Sequence, residues 1–107
     1  MPDALLTPSP RCPIRTTLEL LGGKWRLLIL FQLKEGPLRP SELRRRIPDI
    51  SDKMLTVELK TLQDHELVVR TDFHEIPPRV VYSLSAKGQL ALPLIGAMRD
   101  FAVAYTG

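Results

Sequence analysis

The chain has 107 residues, enough for one domain, and its 44% apolar and 25% charged residues are typical of a globular rather than a disordered protein. Fifteen lysines and arginines against twelve aspartates and glutamates give a net charge of +3, which permits a polyanionic partner without requiring one. The single cysteine excludes a disulfide within the chain, and the apolar runs fall short of the about 20 residues that a membrane span needs.

Boundary signals divide the first half of the chain into an arm and four helices. Residues 1–11 contain three prolines and no periodic apolar pattern, which predicts a flexible arm. They also lack the basic and long apolar regions of a secretion signal, so we expect a cytoplasmic protein. Apolar residues then recur at helical spacing between Gly and Pro residues that end helices, and Ser51 is a suitable N-cap. The predicted helices are 13–21, 24–34, 40–46 and 51–64.

After residue 66 the sequence alternates as strands do. Residues 67–73 and 80–84 form two such runs, and the proline turn between them predicts a β-hairpin with a tip of about four residues. Ser85 then caps a final helix over 86–105, in which Gly88 and Pro93 predict a weak start or a kink. This order predicts an α+β, mostly α, winged helix-turn-helix domain over residues 12–107, with the hairpin as its two-stranded wing.

Several short sequence blocks occur in one order from Cys12 to about Tyr105. They are Cys12-Pro13, Leu20-Leu21-Gly22-Gly23-Lys24-Trp25, Ser41-Glu42-Leu43-Arg44, Ile50-Ser51, Lys53-Met54-Leu55-Thr56, Leu59-Lys60 and Pro77-Pro78-Arg79-Val80. With these blocks the chain resembles the HxlR family of bacterial transcription regulators, relatives of the MarR-like winged helices. The resemblance implies a homodimer that binds a double-stranded DNA operator and often responds to a chemical signal.

The fourth predicted helix has the side chains expected of a helix that reads DNA. Leu55, Leu59 and Leu62 form an inward stripe, so the residues opposite them face outward. Lysine and threonine can contact phosphates or base edges, and valine can contact a thymine methyl group. The candidate DNA-binding residues of this helix are Ser51, Lys53, Thr56, Val57 and Lys60. A plain solvated face is the alternative.

Two neighbouring residues of this helix depart from the family's pattern. Val57 and Glu58 lie where the resemblance leads us to expect longer polar or basic side chains. A carboxylate that faced a phosphate would repel it, whereas a Glu58 on the flank of the leucine stripe can pair with a neighbouring arginine. The departure therefore weakens any transfer of an operator sequence, but it does not weaken the prediction of DNA binding.

Arginines outside this helix extend the predicted DNA-binding surface. Arg44 and Arg45 lie on the preceding helix, which crosses the DNA backbone in helix-turn-helix proteins, and Arg39 lies at its start, where backbone N–H groups can also meet a phosphate. A solubilising surface is the alternative for these three residues. All three are nevertheless candidate DNA-binding residues.

The predicted wing carries one further candidate, Arg79. The adjacent prolines restrict its directions, His74 is predicted across from it, and an arginine at a wing tip can enter a narrow minor groove. An ion pair with Glu75 or Asp72 is the alternative.

The final predicted helix carries a broad apolar face. Its candidate dimerisation residues are Leu94, Met98, Phe101 and Tyr105. A MarR-like architecture uses this helix together with the first one to form a dimer. Such a stripe also fits a simple core. However, other helices supply most of the predicted core, which leaves part of this face without a partner in the monomer.

Cys12 is a candidate thiol sensor. It precedes a predicted helix start, and the positive charge of the helix terminus and of Arg11 and Arg15 favours a reactive thiolate. The resemblance includes thiol-sensing regulators, which implies a redox or small-molecule effector. An inert, buried cysteine is the alternative.

No group of residues predicts catalysis, a metal site or a cofactor. His65 and His74 lack further ligands at metal-binding spacing, and Gly22-Gly23 lacks the spacing of a phosphate-binding loop. The chain is therefore predicted not to be an enzyme and to have no membrane partner. The main alternative function is a winged-helix module that binds protein, but large apolar residues would then replace Lys53 and Lys60 on the outward face.

Overall fold

The computed structural model describes residues 9–107, which form six helices and one antiparallel hairpin. The helices are α1 (Pro13–Leu21), α2 (Arg26–Gln32), α3 (Pro40–Arg46), α4 (Asp52–Asp64), α5 (Ala86–Gln89) and α6 (Leu92–Thr106), and the strands are β1 (Val68–Asp72) and β2 (Val80–Leu84). This is the predicted mostly helical winged helix-turn-helix. Most of the predicted arm, residues 1–11, lies outside the described residues.

The starts of the early helices are fixed by capping groups. The Ser51 hydroxyl accepts a hydrogen bond from Met54 N at 3.0 Å, which satisfies a free N–H in the first turn of α4. At the start of α3, Pro40 occupies the first turn and Arg39 N donates to the Glu42 carboxylate at 2.8 Å. These local signals explain why the predicted bounds of α3 and α4 agree with the structure.

The second helix is shorter than predicted. It begins at Arg26 and ends at Gln32, where the predicted helix extended over 24–34, and a 3-10 turn follows it (Leu33–Glu35). Gly36 ends this segment with a φ of +149°, which an L side chain rarely adopts. On this helix Leu28 is 45% exposed, whereas Leu30 is fully buried.

The core lies between α2, α3, α4 and the base of the wing. Each large aliphatic side chain buried there contributes about 1.5–3 kcal/mol to the free energy of unfolding. The predicted inward stripe of α4 is confirmed, because Leu55, Leu59 and Leu62 are all buried. The most deeply buried large residues are Ile29, Leu30, Leu33, Leu43, Ile50 and Leu62.

The wing is tied to the start of α3 as well as to itself. Its strands pair from Val68 with Leu84 to Asp72 with Val80, one residue shorter at each end of β1 than predicted. Beyond this ladder, Leu38 N donates to Tyr82 O at 2.9 Å and Tyr82 N donates to Leu38 O at 2.8 Å. This pair of bonds sets the hairpin beside the segment that begins α3.

The predicted single final helix is two helices. Residues 86–105 were expected to form one element with a weak start or a kink, but the helix stops after Gln89 and restarts at Leu92. Pro93 has no N–H to donate to the carbonyl of Gln89, so the first helix cannot continue through it. No residue of α6 is buried, and no helix within residues 9–107 is long and apolar enough to cross a membrane.

Candidate nucleic-acid interface

The face of α4 opposite its buried leucines is uncovered. Lys53, Thr56, Val57 and Lys60 are exposed, as predicted from the leucine stripe. Lys60 Nζ lies 2.9 Å from the Asp64 carboxylate in an exposed pair, which water and salt weaken. Lys53 forms no ion pair with any residue of the described chain. The helix therefore presents Lys53 and Lys60, whose ammonium groups can turn toward a ligand, beside the apolar side chain of Val57.

Glu58 does not belong to this outward face. Its carboxylate accepts a hydrogen bond from Arg26 Nε at 3.0 Å, with side-chain exposures of 15% for Glu58 and 20% for Arg26. Arg26 Nη1 also donates to the carbonyl of Glu19 at 2.8 Å and to that of Leu20 at 3.2 Å. Glu58 pairs with an arginine, as predicted, but its partner lies 32 residues away in sequence and was not identified in advance. Glu58 thus adds no repulsion toward a phosphate in front of α4.

The arginines of α3 differ in their surroundings. Arg44 pairs with Asp52 in the first turn of α4, and its Nε is buried without an acceptor among residues 9–107. Arg45 and Arg46 are exposed and form no ion pair in the same part of the chain. Arg44 therefore joins two helices, whereas Arg45 can turn toward a ligand at little cost.

A polar cleft of about 650 Å³ lies between the start of α3 and the wing. Arg39, Arg45 and Arg79 all line it, so the structure brings Arg79 of the wing beside two arginines of the α3 segment. Its complete lining is Pro37, Arg39, Ser41, Glu42, Arg45, Phe73, Arg79 and Val81.

Arg79 is held within the wing by two neighbours. Its guanidinium carbon lies 3.8 Å from the centre of the Phe73 ring, and Nη2 lies 3.0 Å from a Glu75 carboxylate oxygen. The predicted alternative, a pair with Glu75, is therefore present. The residue across from Arg79 is Phe73 and not the predicted His74. Asp72 pairs with Val80 at the end of the ladder, and one position further toward the tip Phe73 N donates to Arg79 O. Strand pairing was the signal that could have identified Phe73.

Comparison with known proteins decides the family. The family model described as HxlR-like helix-turn-helix matches residues 20–107. The chain belongs to the HxlR-like helix-turn-helix family. An HTH-type transcriptional regulator from Methanothermobacter thermautotrophicus is 40% identical over 94 residues, which are 88% of this chain and 72% of the relative.

Solved structures agree with this assignment to the HxlR-like family. A protein from Porphyromonas gingivalis that is assigned to the MarR-family transcriptional regulators superposes with a TM-score of 0.86 at 41% identity, covering 91% of this chain and 95% of that one. The redox regulator HypR in its oxidised form gives 0.81 at 34% identity, covering 87% and 96%. The predicted family, fold and function as a DNA-binding transcription regulator are confirmed, and the family is one of regulators rather than enzymes.

The last helix of this HxlR-family chain exposes most of its predicted dimerisation residues. Phe101 is 70% exposed and Tyr105 81%, with ring centres 6.0 Å apart, and Met98 is also exposed. Leu94 differs, since it is half-buried against the core. The sequence prediction missed further exposed apolar residues on α1 and α2. Both helices are long enough to have an outer face, which was the available signal. These are Ile14, Leu18, Leu28 and Phe31.

Cys12 occupies the N-cap position of α1. Its Sγ accepts a hydrogen bond from Arg15 N at 3.5 Å, and the residue is only 5% exposed. The predicted position at a helix start is confirmed. The alternative prediction, an inert cysteine, requires that the residue is buried, and Cys12 meets this condition. A reagent can reach the thiol only if the start of α1 moves.

Proposed function

We propose that this HxlR-family protein is a homodimeric, sequence-specific regulator that places α4 in the major groove of an operator. The observation that carries the proposal is the uncovered outward face of α4, with Lys53 and Lys60 on the side opposite three buried leucines. Phosphate contacts provide affinity and register, while contacts to base edges provide sequence preference. In this arrangement Thr56 and Val57 face the bases, and Ser51 lies at the helix end nearest to a phosphate.

The wing and α3 are proposed to hold the DNA backbone on either side of α4. Arg39, Arg45 and Arg79 line one cleft beside the wing, which then lies along the adjacent backbone or minor groove. Arg44 contributes differently. Because Arg44 forms an ion pair with Asp52, it holds α3 against the start of α4. It can contact a phosphate only if it gives up this ion pair.

The homodimer is proposed from the apolar surface that the chain leaves uncovered. Met98, Phe101 and Tyr105 protrude from α6, and Leu94 continues the same face into the core. A second copy covers such a face by two-fold symmetry, in which each surface meets itself. Two copies of α4 must lie about 34 Å apart to enter successive major grooves, so dimerisation and operator binding belong together.

The surface of α4 favours DNA over a protein partner. Its exposed apolar residues are Met54 and Val57, whereas protein-binding surfaces depend on large aromatic or arginine anchors. We therefore propose a chromosomal partner in the cytoplasm and no catalytic activity. The alternative, a module that binds protein, is tested by the selection experiment described below.

An effector that acts through Cys12 is the second part of the proposal. The solved structure of HypR is named as a redox regulator, and Cys12 lies at the end of a helix whose other residues include the exposed Leu18. An external oxidant that joins the thiol to a second thiol in a disulfide, or a reagent that alkylates it, adds a group to the buried Sγ, which disturbs the cap of α1 and thereby shifts a helix of the proposed dimer. Cys12→Ser, which retains a capping oxygen, should bind DNA normally but no longer respond to diamide or hypochlorite. An unchanged response excludes Cys12 as the sensor.

The decisive experiment selects bound sequences from a pool of random double-stranded DNA. We expect an enriched inverted repeat with half-sites about one helical turn apart. The affinity for the enriched duplex should fall with salt, and Lys53→Ala combined with Lys60→Ala should reduce the slope of log K against log salt by about two. No enrichment, together with no binding at low salt, overturns the proposal. If in that case the unmutated α4 face binds a protein partner, the result favours the interaction module.

A further inference from the structure

We propose that Glu75 acts as a built-in competitor for the site that binds DNA phosphate, and that Phe73 positions Arg79 within this site. The Glu75 carboxylate occupies the Arg79 guanidinium in the free protein, and a backbone phosphate of the operator replaces it on binding. This inference rests on the proposed DNA-binding function and assigns Arg79 a phosphate rather than a base.

The position of the guanidinium is set by the wing itself. Phe73 N donates to Arg79 O at 3.0 Å just beyond the ladder of β1 and β2, so the two residues face each other. The guanidinium lies 3.8 Å from the centre of the Phe73 ring, within the range of a cation–π contact. The bonds between Leu38 and Tyr82 hold this part of the wing beside Arg39. Phe73 is therefore a platform that keeps Arg79 in the cleft.

The bond to Glu75 leaves most of the guanidinium unused. An arginine offers five N–H donors, and only Nη2 of Arg79 donates to Glu75, at 3.0 Å. Nε is buried and has no acceptor among residues 9–107. The Glu75 side chain is 51% exposed, so water and salt screen the pair. A phosphate can accept two parallel bonds from one guanidinium, whereas Glu75 accepts only one from Arg79, so a phosphate can replace it with a gain of one bond.

The remaining charges of the cleft also favour an anion. Within the described chain, Arg39 and Arg45 have no carboxylate ion-pair partner. Glu42, the one carboxylate that lines the cleft, already accepts a bond from Arg39 N at 2.8 Å. Three arginines and one carboxylate, Glu42, therefore line the cleft, and Glu75 pairs with one of the three arginines. The DNA backbone is the anion that α3 crosses in helix-turn-helix complexes, which makes it the source that we propose.

The test compares carboxylates by fluorescence anisotropy with the enriched duplex. Glu75→Gln should raise the affinity of the full-length protein about threefold or more, because it removes the competitor but keeps the shape of the side chain. Glu35→Gln is the matched control, since it removes an exposed carboxylate that pairs with Lys34 outside the cleft. The affinity gain of this control variant measures the effect of the change in net charge alone. An equal gain in both variants overturns the proposal.

A second pair of variants separates direct competition from long-range charge. In an Arg79→Ala protein, Glu75→Gln should give no more gain than Glu35→Gln, because the group for which the carboxylate competes is absent. Phe73→Leu should lower the affinity about threefold, and Phe73→Tyr should restore it, since tyrosine keeps the aromatic face. Thermal melting identifies any variant that does not fold. If Phe73→Leu fails to fold, the Arg79 and Glu75 variants still decide the question.

The outcomes also separate DNA binding itself from competition by Glu75. If the unmodified protein shows no salt-dependent binding to DNA, the proposed function fails. If it binds DNA but Glu75→Gln changes nothing, only this inference fails. Broadening of the ³¹P signal of inorganic phosphate by the free protein, lost on Arg79→Ala and joined to an unchanged DNA affinity in Glu75→Gln, assigns the cleft to a free anion and overturns the DNA assignment.

Discussion

Arg26 Nε donates to the Glu58 carboxylate across 3.0 Å and thereby joins the start of α2 to the middle of α4. Because Arg26 Nη1 also donates to the carbonyls of Glu19 and Leu20, the same guanidinium holds the end of α1. One side chain thus connects a helix of the proposed dimer to the helix proposed to read DNA.

We expect Arg26→Met to lower the free energy of unfolding by about 1–3 kcal/mol, since it leaves a half-buried carboxylate and two carbonyls without a donor. Glu58→Gln should cost less, because its amide can still accept a bond from Arg26. Urea unfolding of both variants and of the double variant gives the coupling energy between the two positions. Equal costs for the single variants, or additive costs without coupling, contradict this reading of the contact.

Gly88→Ala should destabilise the domain strongly. A Cβ at this position clashes with the carbonyl oxygen of Leu67, which is backbone and cannot turn aside. We expect a loss of about 2 kcal/mol or more in the free energy of unfolding. Gly96→Ala is the matched control, because its Cβ meets nothing within 4 Å and alanine favours a helix by up to about 1 kcal/mol. Similar melting temperatures for the two variants contradict the close approach of α5 to Leu67.

Lys53→Ala and Lys60→Ala should each weaken DNA binding while changing the free energy of unfolding by no more than about 0.5 kcal/mol. Both side chains are exposed opposite the buried leucines, and the Lys60 pair with Asp64 is solvated. Lys87→Ala, on α5, removes the same charge outside the proposed DNA surface and should leave the affinity nearly unchanged. Anisotropy titrations and thermal melting check the prediction. A large drop in melting temperature for Lys53→Ala contradicts the placement of α4.

Phe101→Glu should convert the proposed dimer into a monomer, because it places an unpaired charge in an apolar contact. Val103→Glu is the control, since two residues further along a helix turn the side chain by about 200° to the opposite side. Sedimentation at micromolar concentration measures the mass of each variant, and operator affinity should fall only for Phe101→Glu. If the Phe101→Glu protein stays dimeric and binds its operator, the dimer interface lies elsewhere.

Local patterns were enough to predict the helix that carries the candidate site. Three leucines at helical spacing fixed the inward side of α4, and Ser51 marked its start; both are properties of a few adjacent residues. The partners of the arginines could not be predicted in the same way. The pair of Arg44 with Asp52, and that of Arg26 with Glu58, join different helices, so each depends on how those helices pack.

The two-part final helix shows the same limit. Gly88 and Pro93 indicated a weak point, but the close approach of Gly88 to the Leu67 carbonyl requires the packed wing. Likewise, helical spacing alone could not decide between Leu28 and Leu30, since both lie one turn from other apolar residues and only the packing of the core buries the second.

No residue of α6 is fully buried, and Leu94 and Ile95, near its start, are the residues that pack half-buried against the core. The chain by itself therefore supports the later turns of this helix only weakly. A helix of 15 residues with so little tertiary support is marginal in water, so under the proposed homodimer the partner stabilises its later turns. Both the helix content and the melting temperature should then rise with protein concentration. In the cell, the copy number of the protein would become a regulatory variable, because it sets how many chains have a complete helix and a partner with which to hold the operator.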